Sequence, residues 1–505
     1  MEGAKNPQVF DTDCYNNIKL STVLEENINT IKQIFTSDET IIFRKFDSMN
    51  NDRIKCCAIY IDAMIHKELM EEHIIKPIIL SNFTEDSCSD ILKVIEHKVI
   101  FSGGINRTGS LREIIDGILY GNTVLLLNES DEVLIINTIE WKTRSIEEPV
   151  SENVVRGPRE GFNESIETNI SLIRRRIISP NLKFVFKKIG VRTKTRICIC
   201  YINGIAQEPI VKEVMKRLDE INIDGILESG YIEELIRDEP LSPFRTIGST
   251  ERPDIIAAKL LEGRVAVLCD GTPEALTLPF LFMEYFQTNE DYYNNYILSS
   301  VNRFLRYIAF IITTSVPALY VALINFNQEL IPTQLLISIS LARQGVPFPT
   351  VLETLLMIVT FEILREAGTR IPKPIGSAVS IVGALVLGDA AVNARIISAP
   401  VVIVTALTGI SDFLNPKLLS SFVVRVIFVL FASILGLYGY MFSVMGLGLF
   451  LMGMRSFGVP YMLNIGIGPL TPENLKDTAV RAPWWLMKTR PRIIAKNLKR
   501  QNNNR

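Results

Sequence analysis

Residues 307–328 read YIAFIITTSVPALYVALINFNQ, and this run divides the chain. It carries no side chain charged at neutral pH, since Tyr307 and Tyr320 ionise only near about pH 10. About 20 such residues are enough to cross the hydrocarbon core of a bilayer. Arg303 and Arg306 stand just before the run, Asn325, Asn327 and Gln328 make its last turn polar, and Pro317 predicts a kink. A membrane-spanning helix is the reading.

Toward the C-terminus further apolar runs follow, Ile375 to Gly388, Ile396 to Ser411 and Val426 to Met454. The last is uncharged over 29 residues but broken by Gly436, Gly439, Gly446 and Gly448. It reads as one long bent helix or as the main part of a two-helix hairpin beginning near Leu418. Leu330 to Leu341 is too short to span alone. Between these runs, Pro349 to Pro374 reads as a helix carrying Glu353, Glu362, Arg365, Glu366 and Arg370 among apolar residues. Glu362 with Arg365 and Glu366 with Arg370 have the spacing to pair on one face. Charges at membrane depth face protein or a hydrated path, whereas an interfacial helix would leave them in headgroups; both readings stand here. Asp389, Arg395 and Arg425 pose the same question. After Met454 the chain carries ten Lys and Arg against two acidic residues. The positive-inside rule places such a tail in the cytoplasm.

Toward the N-terminus, residues 1–306 carry charges throughout, and the first residues show no signal-peptide pattern. This half is expected on the cytoplasmic side as well, which makes the number of crossings even, four or six. The half also matches itself at an offset of about 142 residues. Tyr60–Met64 corresponds to Tyr201–Ile205, Ile114–Leu119 to Ile256–Leu261, and Gly121–Ser130 to Gly263–Thr272. Three matches in register predict a duplicated α/β unit, each copy a small sheet flanked by helices. The second copy reads as strands at 182–187, 195–202 and 264–269 with helices at 206–219 and 250–261. Between the copies lie Gly157-Pro158-Arg159-Glu160-Gly161-Phe162 and a helix from Glu164 to Ile177 ending in Arg174, Arg175 and Arg176. That triple suits either a phosphate lipid or nucleic acid on the one hand, or a solvated face or a set of inter-domain ion pairs on the other, and the second pair of readings is favoured.

The fold class expected is therefore an α/β soluble half of two duplicated subdomains followed by an all-α polytopic membrane domain. The divisions are 1–150, 151–306 (linker helix plus second subdomain), 307–454 (membrane) and 455–505 (basic tail). Charge is nearly balanced overall, 53 Lys and Arg against 55 Asp and Glu, an average that hides the division of the chain; no nucleic-acid partner is expected. The seven cysteines are an odd number; Cys56, Cys57, Cys198, Cys200 and Cys269 sit in apolar, strand-like runs and read as reduced core residues. No metal, cofactor or catalytic residue is expected. The three histidines, His66, His73 and His97, accompany no nucleophile pattern. The glycine-rich stretch Ser102–Ser110 lacks the ending of a phosphate-binding P-loop.

From Val154 onward the motifs resemble one family closely, the A subunits of bacterial spore germinant receptors, the GerA family. The resemblance rests on Gly157–Phe162, Thr168-Asn169 and Leu172–Arg176, then on Glu251-Arg252-Pro253-Asp254, Asp270-Gly271-Thr272-Pro273 and Glu290-Asp291-Tyr292-Tyr293. It continues through Pro347-Phe348-Pro349, Phe361–Gly368, Pro372–Gly376 and Val379–Leu385. Glu274, where the family pattern leads one to expect an apolar residue, is a departure. The resemblance implies a complex of the spore inner membrane with a transporter-like B subunit and a lipoprotein C subunit. It further implies a homo-oligomer of A subunits forming a germinant-gated ion pore. A secondary transporter or a non-conducting scaffold of the same complex is the alternative.

Overall fold

The computed structural model describes residues 20–49, 51–81, 91–100, 104–140, 152, 156–370, 388–415, 420–462, 477, 478, 480–491 and 493–500. Most of the apolar run from Ile375 to Gly388 and the motifs at Pro372–Gly376 and Val379–Leu385 lie outside the described residues.

In the N-terminal half the apolar, β-branched runs pair into two antiparallel five-stranded sheets. The first contains β1 (Ile41–Ser48), β2 (Asn51–Ile61), β3 (Ile105–Thr108), β4 (Thr123–Leu127) and β5 (Val133–Ile136) in the order β1-β2-β4-β5-β3. The second contains β6 (Leu182–Ile189), β7 (Thr195–Ile202), β8 (Gly248–Thr250), β9 (Val265–Cys269) and β10 (Ala275–Leu278) in the order β6-β7-β9-β10-β8. The order is the same in both, and so is the register. Ile41 faces Ile61 as Leu182 faces Ile202, Cys57 faces Leu126 as Cys198 faces Leu268, and Thr108 faces Val133 as Thr250 faces Ala275. β4 and β9, fully buried along their length, occupy the centre of their sheets. Their unbroken apolar sequences follow from cover on both faces.

The helices repeat too. Helix α1 (Leu24–Ile34) and α2 (Leu111–Tyr120) lie on the first sheet where α3 (Ile166–Arg176) and α5 (Pro253–Leu261) lie on the second. Ahead of α1, Asn27 bonds the backbone of Ser21 in both directions (2.9 and 2.6 Å). Asn169 does the same to Asn163 ahead of α3, at the same two distances. So the helix that the sequence places between the copies is the opening helix of the second copy. The opposite face of the second sheet carries α4 (Glu208–Asp219). The sequence reading also ran a helix from residue 250, where the chain is still finishing the edge strand β8. Ile105–Thr108, within the glycine-rich stretch, is likewise an edge strand, bonded to β5.

The C-terminal half is helical: α6 (Tyr296–Asn325), α7 (Thr333–Arg343), α8 (Thr350–Arg370), α9 (Ala399–Asp412) and α10 (Ser421–Gly453). Two of these, α6 and α10, are long and apolar enough to cross a membrane by length and composition. α6 starts well before the apolar run, so Arg303 and Arg306 lie within it. α10 is not one rod. Gly436 breaks it with φ 61° and ψ −139°, and the Phe428 and Tyr440 rings meet at 5.9 Å. Twelve residues of straight helix would hold those rings about 18 Å apart. α10 is therefore a hairpin, its apex at Gly436 packed on Phe326 at the far end of α6. Its second arm returns to the α/β units, where Phe450 meets Phe244 at 6.5 Å.

Candidate functional site

The helix directions bring the charges of the apolar half together. α9 runs antiparallel to α6: Thr313 Oγ1 donates to Thr408 O (3.3 Å) and Asn415 Nδ2 to Arg306 O (2.9 Å). The first arm of α10 climbs beside α6, with Arg425 Nε donating to Thr313 O at 3.0 Å. α8 runs alongside α9 in the same direction. At one level this sets Arg365 Nη1 2.7 Å from Asp412 Oδ2 and in contact with Glu362. Arg425, fully buried, places one terminal nitrogen 3.7 Å from Glu362 Oε1 and the other 3.4 Å from Asp412 Oδ2. Ser421 Oγ donates to Asp412 Oδ1 at 2.7 Å. Two cations and two anions from three elements thus form a neutral quartet among apolar side chains. Among the described residues, neither terminal nitrogen of Arg425 has a hydrogen-bond partner, nor does Glu362 Oε1. Charges buried this way are held mainly by one another, and losing one strands its partners.

The sequence foresaw part of this. Glu362 and Arg365 pair as their spacing predicts, and Arg425 joins them from 60 residues on. Asp412 went unnoticed, although it stands directly after the run Ile396–Ser411 and its charge is the reason that run stops. Glu353 belongs elsewhere. It is fully buried at the other end of α8, where one carboxylate oxygen accepts from Ser398 N (3.0 Å) and Ser398 Oγ (2.7 Å). Its other oxygen lies 3.8 Å from Arg343 at the end of α7. Glu366 is exposed, and the side chain of Arg370 is outside the described residues.

The family motifs of the α/β half act as joints. Arg174 is fully buried, paired with Asp38 of the first unit, 2.8 Å from Thr40 Oγ1 and stacked 4.7 Å from the Phe184 ring. Beside it Lys183 donates to Ile34 O at 3.3 Å, and burial pushes its amine down to about 8. Arg176 and Arg175 both reach Glu160, at 2.8 and 3.8 Å. Arg174 is thus an inter-domain ion pair, while its two neighbours pair within the motif. Arg159 is exposed, and Pro158 O accepts from the buried Arg252 (3.2 Å), which also pairs with Asp254 at 2.7 Å. Gly157, at φ 141°, lies so close to Tyr293 that a β-carbon there would sit 2.9 Å from its ring. Glu274 is half-buried and its carboxyl is pushed up by that burial.

A third cluster joins the two halves. Asp291 accepts from Arg303 Nε (3.2 Å) and Arg306 Nη2 (2.7 Å) at the base of α6. Asp477, from the chain beyond α10, meets Arg303 at 3.3 Å and Tyr292 Oη at 2.9 Å, and burial holds its carboxyl above the usual range. The five described cysteines are buried and free. Among the described residues no group of three or more His, Cys, Asp or Glu side chains gathers as a metal site.

Comparison with known proteins places these features. The family model described as Bacillus/Clostridium GerA spore germination protein matches residues 29–493. Spore germination protein KA of Bacillus subtilis (strain 168) is 42% identical over 482 residues, covering 95% of this chain and 88% of that protein. Spore germination protein B1 of the same organism is 38% identical over 479 residues, 94% of this chain and 98% of that protein. Spore germination protein GerLA of Bacillus cereus is 38% identical over 443 residues, 87% of this chain and 89% of that protein. The crystal structure of the N-terminal domain of the A subunit of the Bacillus megaterium spore germinant receptor GerK3 is 32% identical, with a TM-score of 0.41, over 52% of this chain and 98% of that one.

Proposed function

The chain belongs to the GerA family of spore germination proteins, and from that membership we propose that it is the A subunit of a nutrient-germinant receptor in the spore inner membrane. In this reading its helices cross the membrane, several copies assemble, and the helices line a path for ions that germinant opens. The transporter-like B subunit and the lipoprotein C subunit complete the complex. The division into two cytoplasmic α/β subdomains, a membrane domain and a basic tail belongs to the same proposal. In this reading the crossings number four or six, with α6 and α10 the described helices long and apolar enough to cross.

The observation that carries the reading is the neutral quartet of Glu362, Arg365, Asp412 and Arg425, buried at one level of the helical half. Such charges are costly at membrane depth and mark ion paths and moving contacts. Their partners sit on different helices, so a sliding helix would exchange ion pairs and alter the field along the path.

The test is ion flux through the assembled receptor in liposomes on adding germinant. A channel passes ions with no stoichiometric co-substrate. Flux in fixed ratio to a second solute would identify a transporter, and no flux a scaffold. Arg425→Met leaves Glu362 and Asp412 short of a cation, at a cost of roughly 3–5 kcal/mol. It should abolish or deregulate flux at equal protein level, and normal flux from that variant would remove the quartet from the mechanism.

A further inference from the structure

The two α/β units differ at one β-bridge, in the turn after the second strand of each. In the first, the chain running on from β5 fills it: Ile65 bridges Ile139, and Glu140 N donates to Met64 O at 3.1 Å. The corresponding residues of the second unit, Ala206 and Ile205, cannot be served this way, because the chain after β10 leaves for Phe282–Phe286 and α6. A segment from beyond all the helices takes the place instead. Ala206 bridges Ala495, and Lys496 N donates to Ile205 O at 2.7 Å. Ile494 is buried with Ala206, Ile210 and Val211 in the core of the second unit. Gly263, at φ 95°, lets the visitor in, since a β-carbon there would lie 3.0 Å from Ala495 Cα.

The seat is also matched in charge. Lys496 reaches Glu208 at 2.8 Å, Arg500 reaches Glu262 at 2.9 Å, and Arg490 Nε donates to Leu261 O at 2.7 Å. At its other end the same segment holds the base of α6 through Asp477, Arg303 and Tyr292. One backbone bridge, the hydrogen bond to Ile205 O and these side-chain seats hold it on the unit.

We propose that residues 477–500 are a strap: a segment from beyond the helices that covers the second α/β unit at Ile205, Ala206 and Gly263 and fastens it to α6. Seating this segment adds a tie between the second α/β unit and α6, beside the packing of the second arm of α10 on Phe244. The inference rests on the contacts alone and stands whether or not the helices conduct ions.

A protease site placed within residues 463–476 of the full-length protein tests it. After cleavage in detergent, the C-terminal fragment should stay with the remainder through size-exclusion chromatography. Lys496→Pro removes the donor to Ile205, and retention should fall roughly tenfold. Glu262→Arg should also loosen the fragment, and adding Arg500→Glu should restore it, a rescue that general misfolding cannot give. Immediate loss of the fragment from the native sequence would overturn the proposal. So would unchanged retention in both Lys496→Pro and Glu262→Arg.

Discussion

Lys183 carries its ammonium group into the seam between the two α/β units, with Asp38 and Arg174 beside it. Burial lowers its pKa to about 8, Arg174 adding to the effect and Asp38 opposing it. In the unfolded chain a lysine keeps its proton to about pH 10.4. Between those values the unfolded state binds more protons, so this group makes stability rise with pH there, by about 3 kcal/mol in all. Thermal unfolding of the full-length protein at pH 7, 8, 9 and 10 should show the rise, and Lys183→Met should flatten it. Equal slopes in both proteins would contradict the assignment. At this scale the sequence was partly legible. Glu362 and Arg365 declare their pairing through local spacing. Asp412, which lies 47 residues from the Arg365 it serves, and Asp38, 136 residues from Arg174, do not. Long-range ion pairs leave no mark in a local pattern.

Among the elements, the hairpin of α10 was the open question. Uncharged sequence with scattered glycines fits a bent rod and a reversal equally well, because glycine permits both. What decides is a single backbone conformation. Gly436 adopts φ 61° with ψ −139°, a region essentially closed to other residues, and its missing side chain leaves room for Phe326, 2.9 Å from where a β-carbon would be. Gly436→Ala should therefore cost roughly 1–3 kcal/mol. Gly446→Ala, at a position with open space around it, should cost nothing comparable. Melting temperatures of the two variants in detergent check this; equal melting would mean that the reversal lies elsewhere. The helix α3 was misplaced for a different reason. At the offset of 142 it matches α1 at Glu25 and Glu167, Asn27 and Asn169, Ile28 and Ile170, and Ile31 and Ile173, a short interrupted match that the hydrogen bonds of Asn27 and Asn169 bring into register.

For the whole molecule, the duplication was legible because buried central strands must stay apolar in both copies, and β4 and β9 keep the same register. The ends of the chain were argued from charge, and contacts now bear on them. The C-terminal segment lies against the second α/β unit at Ile205 and Gly263, so the helical half starts and finishes beside the same body. With the proposed membrane placement, this predicts an even number of passes. Single cysteines placed at residues 110 and 497 should therefore react with an impermeant reagent from the same side only. Labelling from opposite sides would require an odd number.

That lent segment also sets a clock. Ala495 is made about 230 residues after Gly263, the glycine it packs against. At 5–20 residues per second the seat at Ile205, Ala206 and Gly263 stands uncovered for roughly 10–45 s during synthesis. The second unit thus spends its first moments with part of its core unsealed, and the last helices must be made before Ile494 can join it.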